Sequence, residues 1–133
     1  MASRNPADLH PDLQPIYKKF AAQAKLQGID YILTCTYRSG EEQDALYAQG
    51  RTKKGAIVTN AKAGQSAHNF KIGNAPAAKA FDIVPLEAGK PVWRASHPSW
   101  AKLGKIGMDL GLNWYGAPNA RFKEFPHFEM AKV

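Results

Sequence analysis

Apolar positions recur along this chain in two rhythms, and their succession outlines a mixed domain. From Asp12 to Gln27, the residues Leu13, Ile16, Tyr17, Phe20 and Ala24 return at three- and four-residue steps, which places them on one face of a helix. Asp12 suits the N-cap and Gly28 the position just past the end. Tyr31 to Thr36 is rich in β-branched and aromatic residues and predicts a strand. Ser39 followed by Glu42 has the spacing of a capping box, so a second helix is expected from Gly40 to Gln49, closed by Gly50.

The rhythm then lapses. Residues 51 to 78 carry Gly55, Gly64, Gly73 and Pro76 without sustained periodicity. They predict a long loop with one short strand at Ala56-Ile57-Val58, and a loop of that length in a small domain is usually functional or disordered. Ala80 to Val84 predicts a strand stopped by Pro85. Glu87 to Lys90 predicts a turn, and Pro91-Val92-Trp93 a short returning strand. A third helix is expected over Pro98 to Leu110, with proline at its first position and Gly111 closing it. Leu112 to Tyr115 and Pro126 to Met130 complete the strands. The order implies an α+β domain whose small central sheet is antiparallel and flanked by helices, because the later strands lack long helical crossovers.

Composition narrows the class. At 133 residues, 44% hydrophobic and 22% charged, the chain suits one domain with one core. No run approaches the about 18 apolar residues of a membrane span, and Met1 to Pro6 has no apolar stretch of the secretory kind. Synthesis in the cytoplasm is therefore expected. Cys35 is the single cysteine, which excludes an internal disulfide framework and a cysteine-rich zinc site. On a candidate strand it reads as a buried, reduced core residue.

The formal charge is +7, which predicts attraction to a polyanion. The charge is uneven. No acid lies between Asp44 and Asp82, while Arg51, Lys53, Lys54, Lys62, Lys71 and Lys79 do. Either these residues solubilise a loop, or they form a positive rim around a site for an anionic substrate. Motifs of nucleic-acid binding are missing, so no nucleic-acid partner is expected.

Few side chains can carry chemistry. His10, beside Pro11, and His97, before Pro98, read as turn or cap residues. His68 lies in the long loop, His127 on a strand between apolar neighbours, and Asp82 inside an apolar strand. A buried acid is costly unless it is paired or binds a metal. Two imidazoles and one carboxylate suit a catalytic zinc site with an open position for water, although from composition alone a structural ion-paired cluster is the commoner reading. Glu124 precedes His127 by three residues. A turn at Phe125-Pro126 would bring it alongside such a site as a general base; otherwise it balances Lys123 at the surface. Arg38 follows the first strand, where it either holds an oxyanion or a substrate carboxylate, or pairs with Glu41 or Glu42. Trp93, Trp100 and Trp114 read as core or cleft walls.

Together these residues resemble a known family. Tyr37-Arg38-Ser39 with Glu42-Gln43 and Leu46 to Gly50 is similar to the opening motif of the M15 zinc peptidases. That family includes phage and bacterial L-alanyl-D-glutamate endopeptidases and the D-alanyl-D-alanine peptidases of vancomycin resistance. Gly50 to Lys62 resembles the phage endolysin branch. Ser66-Ala67-His68, Ala80-Phe81-Asp82 and Glu124-Phe125-Pro126-His127 follow in the family's order.

The resemblance implies a Hedgehog/DD-peptidase-like α+β fold and one zinc ion on His68, Asp82 and His127. It further implies Glu124 as general base, Arg38 as oxyanion partner, and Ser66 and Gln43 as substrate-contacting or supporting residues. The implied substrate is bacterial peptidoglycan, cut between L-alanine and D-glutamate; carboxypeptidase action on a terminal D-alanine or D-lactate is the alternative, and a wall-binding domain without catalysis a further one. A monomer reaching the wall after the membrane is permeabilised is implied, with no integral membrane segment and no separate wall-binding domain. One departure stands out. His68 and Asp82 are fourteen residues apart, further than in most relatives, and Lys71 to Ala78 read as an insertion expected to bulge outward at Gly73, Asn74 and Pro76.

Overall fold

The computed structural model describes residues 2–118 and 124–131. Three helices, α1 (Leu13–Leu26), α2 (Gly40–Ala48) and α3 (Pro98–Asp109), accompany seven strands. These are β1 (Tyr31–Cys35), β2 (Lys71–Ile72), β3 (Ala75–Pro76), β4 (Ala80–Glu87), β5 (Lys90–Pro91), β6 (Leu112–Trp114) and β7 (His127–Met130). The central sheet runs β1-β4-β7-β6, with β5 added to β4, and every pairing is antiparallel. The expected α+β architecture is the one found. No helix among the described residues is long and apolar enough to cross a membrane.

Strand alternation gives the sheet two different faces. Phe81 and Phe128 are paired across β4 and β7. Their rings stack at 5.3 Å and meet Phe20 of α1 edge-on at 5.3 and 5.2 Å. Leu13, Phe20 and Ala24 of α1 and Leu103 and Ile106 of α3 complete this core. Asp82 and His127, one position along each strand and paired with one another, project from the opposite face.

Local chemistry sets the boundaries. The Ser39–Glu42 capping box forms as expected. At α1 the expectation needs correction: Asp12 occupies the N-cap position, but its side chain makes no cap bond. His10 does that work. Its carbonyl accepts the N–H groups of Leu13 and Gln14, and its Nδ1 accepts the Asp12 N–H at 3.0 Å. His97 caps α3 through the Ser99 N–H. Pro85 does not stop β4, which continues to Glu87. Its carbonyl still accepts the Val92 N–H at 2.9 Å, so the ladder loses one donor and proceeds. The Ala88-Gly89 turn has positive φ at both residues, the form that joins two strands by two residues.

The long loop contains no strand at Ala56–Val58; side chains order it instead. Arg51 stacks on Tyr47 at 3.8 Å and donates to the carbonyls of Tyr47 and Thr59. Asp44 accepts the Ala63 N–H. Part of the basic stretch is thus spent on holding the loop. The segment expected as an outward bulge forms a hairpin, β2–β3, turning at Gly73. The Ala77 N–H meets the Phe70 carbonyl at 3.0 Å, so the extra residues leave and rejoin the chain at one bonded point.

Helix α3 lies against β6 and β7 through glycine. A Cβ on Gly104 would sit 2.3 Å from the Trp114 ring, and one on Gly107 2.5 Å from Phe128. Forcing a methyl into such a contact costs about 1–3 kcal/mol, against the about 1 kcal/mol that alanine returns through helix propensity. Gly104→Ala should therefore lower the urea midpoint, whereas an unchanged or raised midpoint would mean that the Trp114 ring yields freely.

Candidate metal centre and active-site groove

Three segments converge on the face opposite the aromatic core. The sheet register sets Asp82 between Cys35 of β1 and His127 of β7. His68 arrives from the loop on a single 3-10 turn, Ala67–Asn69. Ser66 starts that turn: its hydroxyl accepts the His68 N–H at 3.2 Å, and Asn69 accepts the Ser66 N–H. The Arg38 N–H donates to the His68 carbonyl at 2.9 Å, and Asn69 donates to the Arg38 carbonyl. A register shift between Leu33 and Cys35 interrupts the β1–β4 ladder, and just beyond it the Thr36 carbonyl lies 2.7 Å from His68 Nδ1.

The hydrogen bonds assign both imidazoles. A carbonyl only accepts, so His68 Nδ1 must carry hydrogen toward Thr36. His127 Nε2 lies 2.8 Å from Glu129 Oε1 and must likewise donate. The remaining nitrogens, His68 Nε2 and His127 Nδ1, stand 3.2 and 3.0 Å from Asp82 Oδ1. In neutral imidazoles these would be two lone pairs facing a carboxylate, an arrangement that requires a cation among them. Protons can supply it, and so can a divalent metal. Nitrogen and carboxylate oxygen are donors that zinc accepts, so the residues fit such an ion.

The electrostatics of the cluster favour the proton-bound form. Burial opposes charge on His68, yet the Asp82 carboxylate outweighs it and raises His68 to about 10. Burial likewise opposes charge on His127, and Asp82 and Glu129 together raise it. Burial would raise Asp82, but the two imidazoles hold it well below the usual carboxylate range.

Arg38 stands at the rim of this cluster. It donates to Gln43 at 3.0 Å, lies 3.5 Å from Cys35 Sγ, and approaches Asp82 to 4.0 Å. It pairs with Asp82, while Glu42 serves the capping box. Gln43 is fully buried and spends its amide on Arg38 and the Ala61 carbonyl. It supports Arg38 from behind, the supporting position of the two expected for it, and is not among the residues that line the groove. Ser66 does border the groove.

Glu124 is reached through a turn at Phe125-Pro126, closed by His127 N–H donating to the Glu124 carbonyl at 3.1 Å. Trp114 Nε1 donates to the Phe125 carbonyl at 2.9 Å, and the Trp100 ring abuts Phe125. Two core tryptophans thus hold the segment that presents Glu124. The Lys123 alternative lies outside the described residues.

The cluster opens into a groove of about 1840 Å³, larger than a small-molecule pocket and suited to an extended polymer. Arg38, His68, Asp82, Glu124 and His127 all line it, and exposed Ile57, Val58 and Trp93 form walls. Trp93, at 64% exposure, belongs to the cleft and not to the core.

Some participants escaped the sequence reading. Cys35 is buried as expected, but its Sγ lies 3.6 Å from His68 Nδ1. Cys35, His68 and Asp82 offer ligand atoms within 4.8 Å of one another. His68 Nδ1 is committed to Thr36, so the donors facing His127 make the better set. Thr36 acts through its backbone and leaves no sequence signal. Glu129 was legible as the partner two residues beyond His127 on one strand face. Tyr115, whose ring meets His127 at 4.5 Å, was not.

Comparison with known proteins places this geometry. The VanY family, described as D-alanyl-D-alanine carboxypeptidase, matches residues 6–100. The peptidoglycan L-alanyl-D-glutamate endopeptidase CwlK of Bacillus subtilis (strain 168) is 38% identical over 133 residues, covering 94% of this chain and 75% of that protein. The crystal structure of the Serratia marcescens L-Ala D-Glu endopeptidase ChiX superposes with a TM-score of 0.64. It covers 98% of this chain and 89% of that one at 18% identity, and so shares the fold.

The raised imidazoles carry a stability signature. Between about 6.5, the ordinary histidine value, and about 10, the folded-state value of His68, the folded metal-free chain binds more protons than the unfolded chain. Stability therefore falls as pH rises through that window. Asp82 acts at the other end, its contribution present above about 3.9 and lost as pH falls below it. Thermal melts in chelator from pH 6 to 10 should show a declining Tm, and saturating zinc should flatten the decline by replacing the protons. A flat profile in chelator would mean that the imidazoles are neutral.

Proposed function

The chain belongs to the VanY family, and from that premise we propose that it hydrolyses the L-alanyl-D-glutamate bond of peptidoglycan stem peptides, with one zinc ion held by His68, Asp82 and His127. The observation that carries this reading is the convergence of His68 Nε2 and His127 Nδ1 on Asp82 Oδ1 beside a groove that also admits Glu124 and Arg38. The endopeptidase name of the 38%-identical relative favours an internal bond over a terminal D-alanine. The stretch from Gly50 to Lys62 favours an endolysin-like role at the cell wall.

When bound, zinc would supply a Lewis acid that acidifies water and polarises the scissile carbonyl. The chain's own residues do the rest. The Glu124 carboxylate takes a proton from the attacking water as the oxygen–carbon bond forms, then delivers it to the departing amine nitrogen as the carbon–nitrogen bond breaks. The Arg38 guanidinium, steadied by Gln43, meets the carbonyl oxygen as it gains charge. Its neighbour Asp82 is already committed to the imidazoles, so a guanidinium donor remains for substrate. The products are a carboxylate on L-alanine and a free amine on D-glutamate.

Product analysis on purified peptidoglycan tests both bond and metal. New N-terminal D-glutamate is expected, abolished by chelator and restored by zinc. Release of D-alanine alone would instead favour the carboxypeptidase that the family description names. Glu124→Gln should lose at least about 100-fold in kcat, the scale of general acid–base catalysis, while keeping its zinc. Near-full activity in that variant would remove Glu124 from the mechanism.

A further inference from the structure

We propose that Glu129 is a positioning residue for the metal centre, holding the Nε2–H of His127 so that Nδ1 presents its lone pair beside Asp82. This rests on the zinc-peptidase reading above and extends it to a residue with no assigned role. The placement begins with the strand. His127 and Glu129 are two residues apart on β7, so both side chains project from the face that carries Asp82. The register sets Ala80 of β4 opposite Glu129 and Asp82 opposite His127, and the alanine methyl leaves room for the carboxylate.

The contact is short and sheltered. Glu129 Oε1 lies 2.8 Å from His127 Nε2, with the two side chains 20% and 10% exposed. Tyr115 packs its ring on His127 at 4.5 Å and 66°, and its backbone N–H donates to the His127 carbonyl at 3.0 Å. Tyr115 thus holds the imidazole that Glu129 meets, by its ring and by its backbone.

The two imidazoles are oriented by different means. His68 is aimed by a neutral backbone carbonyl, Thr36, at 2.7 Å. His127 is aimed by a carboxylate, which fixes the tautomer and also raises the donor strength of the nitrogen across the ring. Removing that partner leaves His127 free to take the other tautomer or to rotate, and loss of such a partner typically weakens metal binding by about 10–100-fold. A carboxylate that merely paired with a strand neighbour would change folding stability and leave zinc affinity alone.

Zinc affinity, measured by competition with a chromophoric chelator, separates these cases without reference to catalysis. Glu129→Ala is expected to lose about 100-fold. Glu129→Gln keeps an acceptor without charge, and about a 10-fold loss is expected. Nitrogen NMR of the His127 ring in the zinc-free protein, at a pH high enough to leave the ring neutral, should show the Nε2–H tautomer depleted in Glu129→Ala and largely recovered in Glu129→Gln. Should the alanine variant fail to fold, the near-isosteric glutamine variant decides. Zinc affinities within twofold of wild type in a folded variant would overturn the role of Glu129 alone. A wild-type chain that bound no zinc would overturn both this inference and the reading beneath it.

Discussion

Charge balance around the Asp82 carboxylate is the constraint on which the rest of this molecule depends. Its oxygen faces two imidazole nitrogens at about hydrogen-bond distance, and the other nitrogen of each ring is already engaged. With neutral rings that arrangement is repulsive, because three acceptors confront one another with nothing between them. Leaving a buried charge without its partner costs several kcal/mol. Arg38 approaches only the other oxygen, at 4.0 Å, so a cation among the three acceptors is favoured, and the Asp82 charge that raises both imidazoles favours protons there in the bare chain. Binding of a metal then becomes an exchange of protons for a stronger cation at a site already organised to receive one.

That organisation comes from the far side of the sheet. The aromatic contacts of Phe20, Phe81 and Phe128 fix the register of β4 against β7. A slip of one residue would turn Asp82 and His127 inward and bring the phenylalanines out. The glycines of α3 let the helix approach Trp114 and Phe128, and Trp114 in turn anchors the Phe125 turn that carries Glu124. Core and site are two faces of one set of paired strands, so packing energy on one side preserves geometry on the other.

This two-sidedness explains what the sequence could and could not disclose. The three helices, the capping box, the Glu87–Lys90 turn and most strands follow from local periodicity and end signals, which depend on neighbours in the chain. His68, Asp82, Glu124 and His127 were legible as polar residues in costly or motif-bearing positions. The misreadings share a cause, since each depends on partners remote in sequence. Pro85 continues a strand because Val92 and Tyr31 pair with it. Ile57 and Val58 look like a strand, yet no partner edge reaches them.

The hairpin at 71–76 bears on how such a domain can vary. Lying between His68 and Asp82, it would disrupt the centre if its length were carried into the connecting backbone. It is not, because Phe70 and Ala77 are bonded at its base. Ala78 and Lys79 are tied to Asp8 and Ala67 just beyond. The residues that follow pass directly into β4, and lengthening a closed surface loop costs little entropy. What the hairpin does change is the groove, where Phe70, with Lys79 at 3.9 Å over its ring, and Lys71 stand along one wall. Centre and groove wall thus reside on separable pieces of backbone, the first on the paired strands and the Ala67–Asn69 turn, the second on a hairpin closed at its own base.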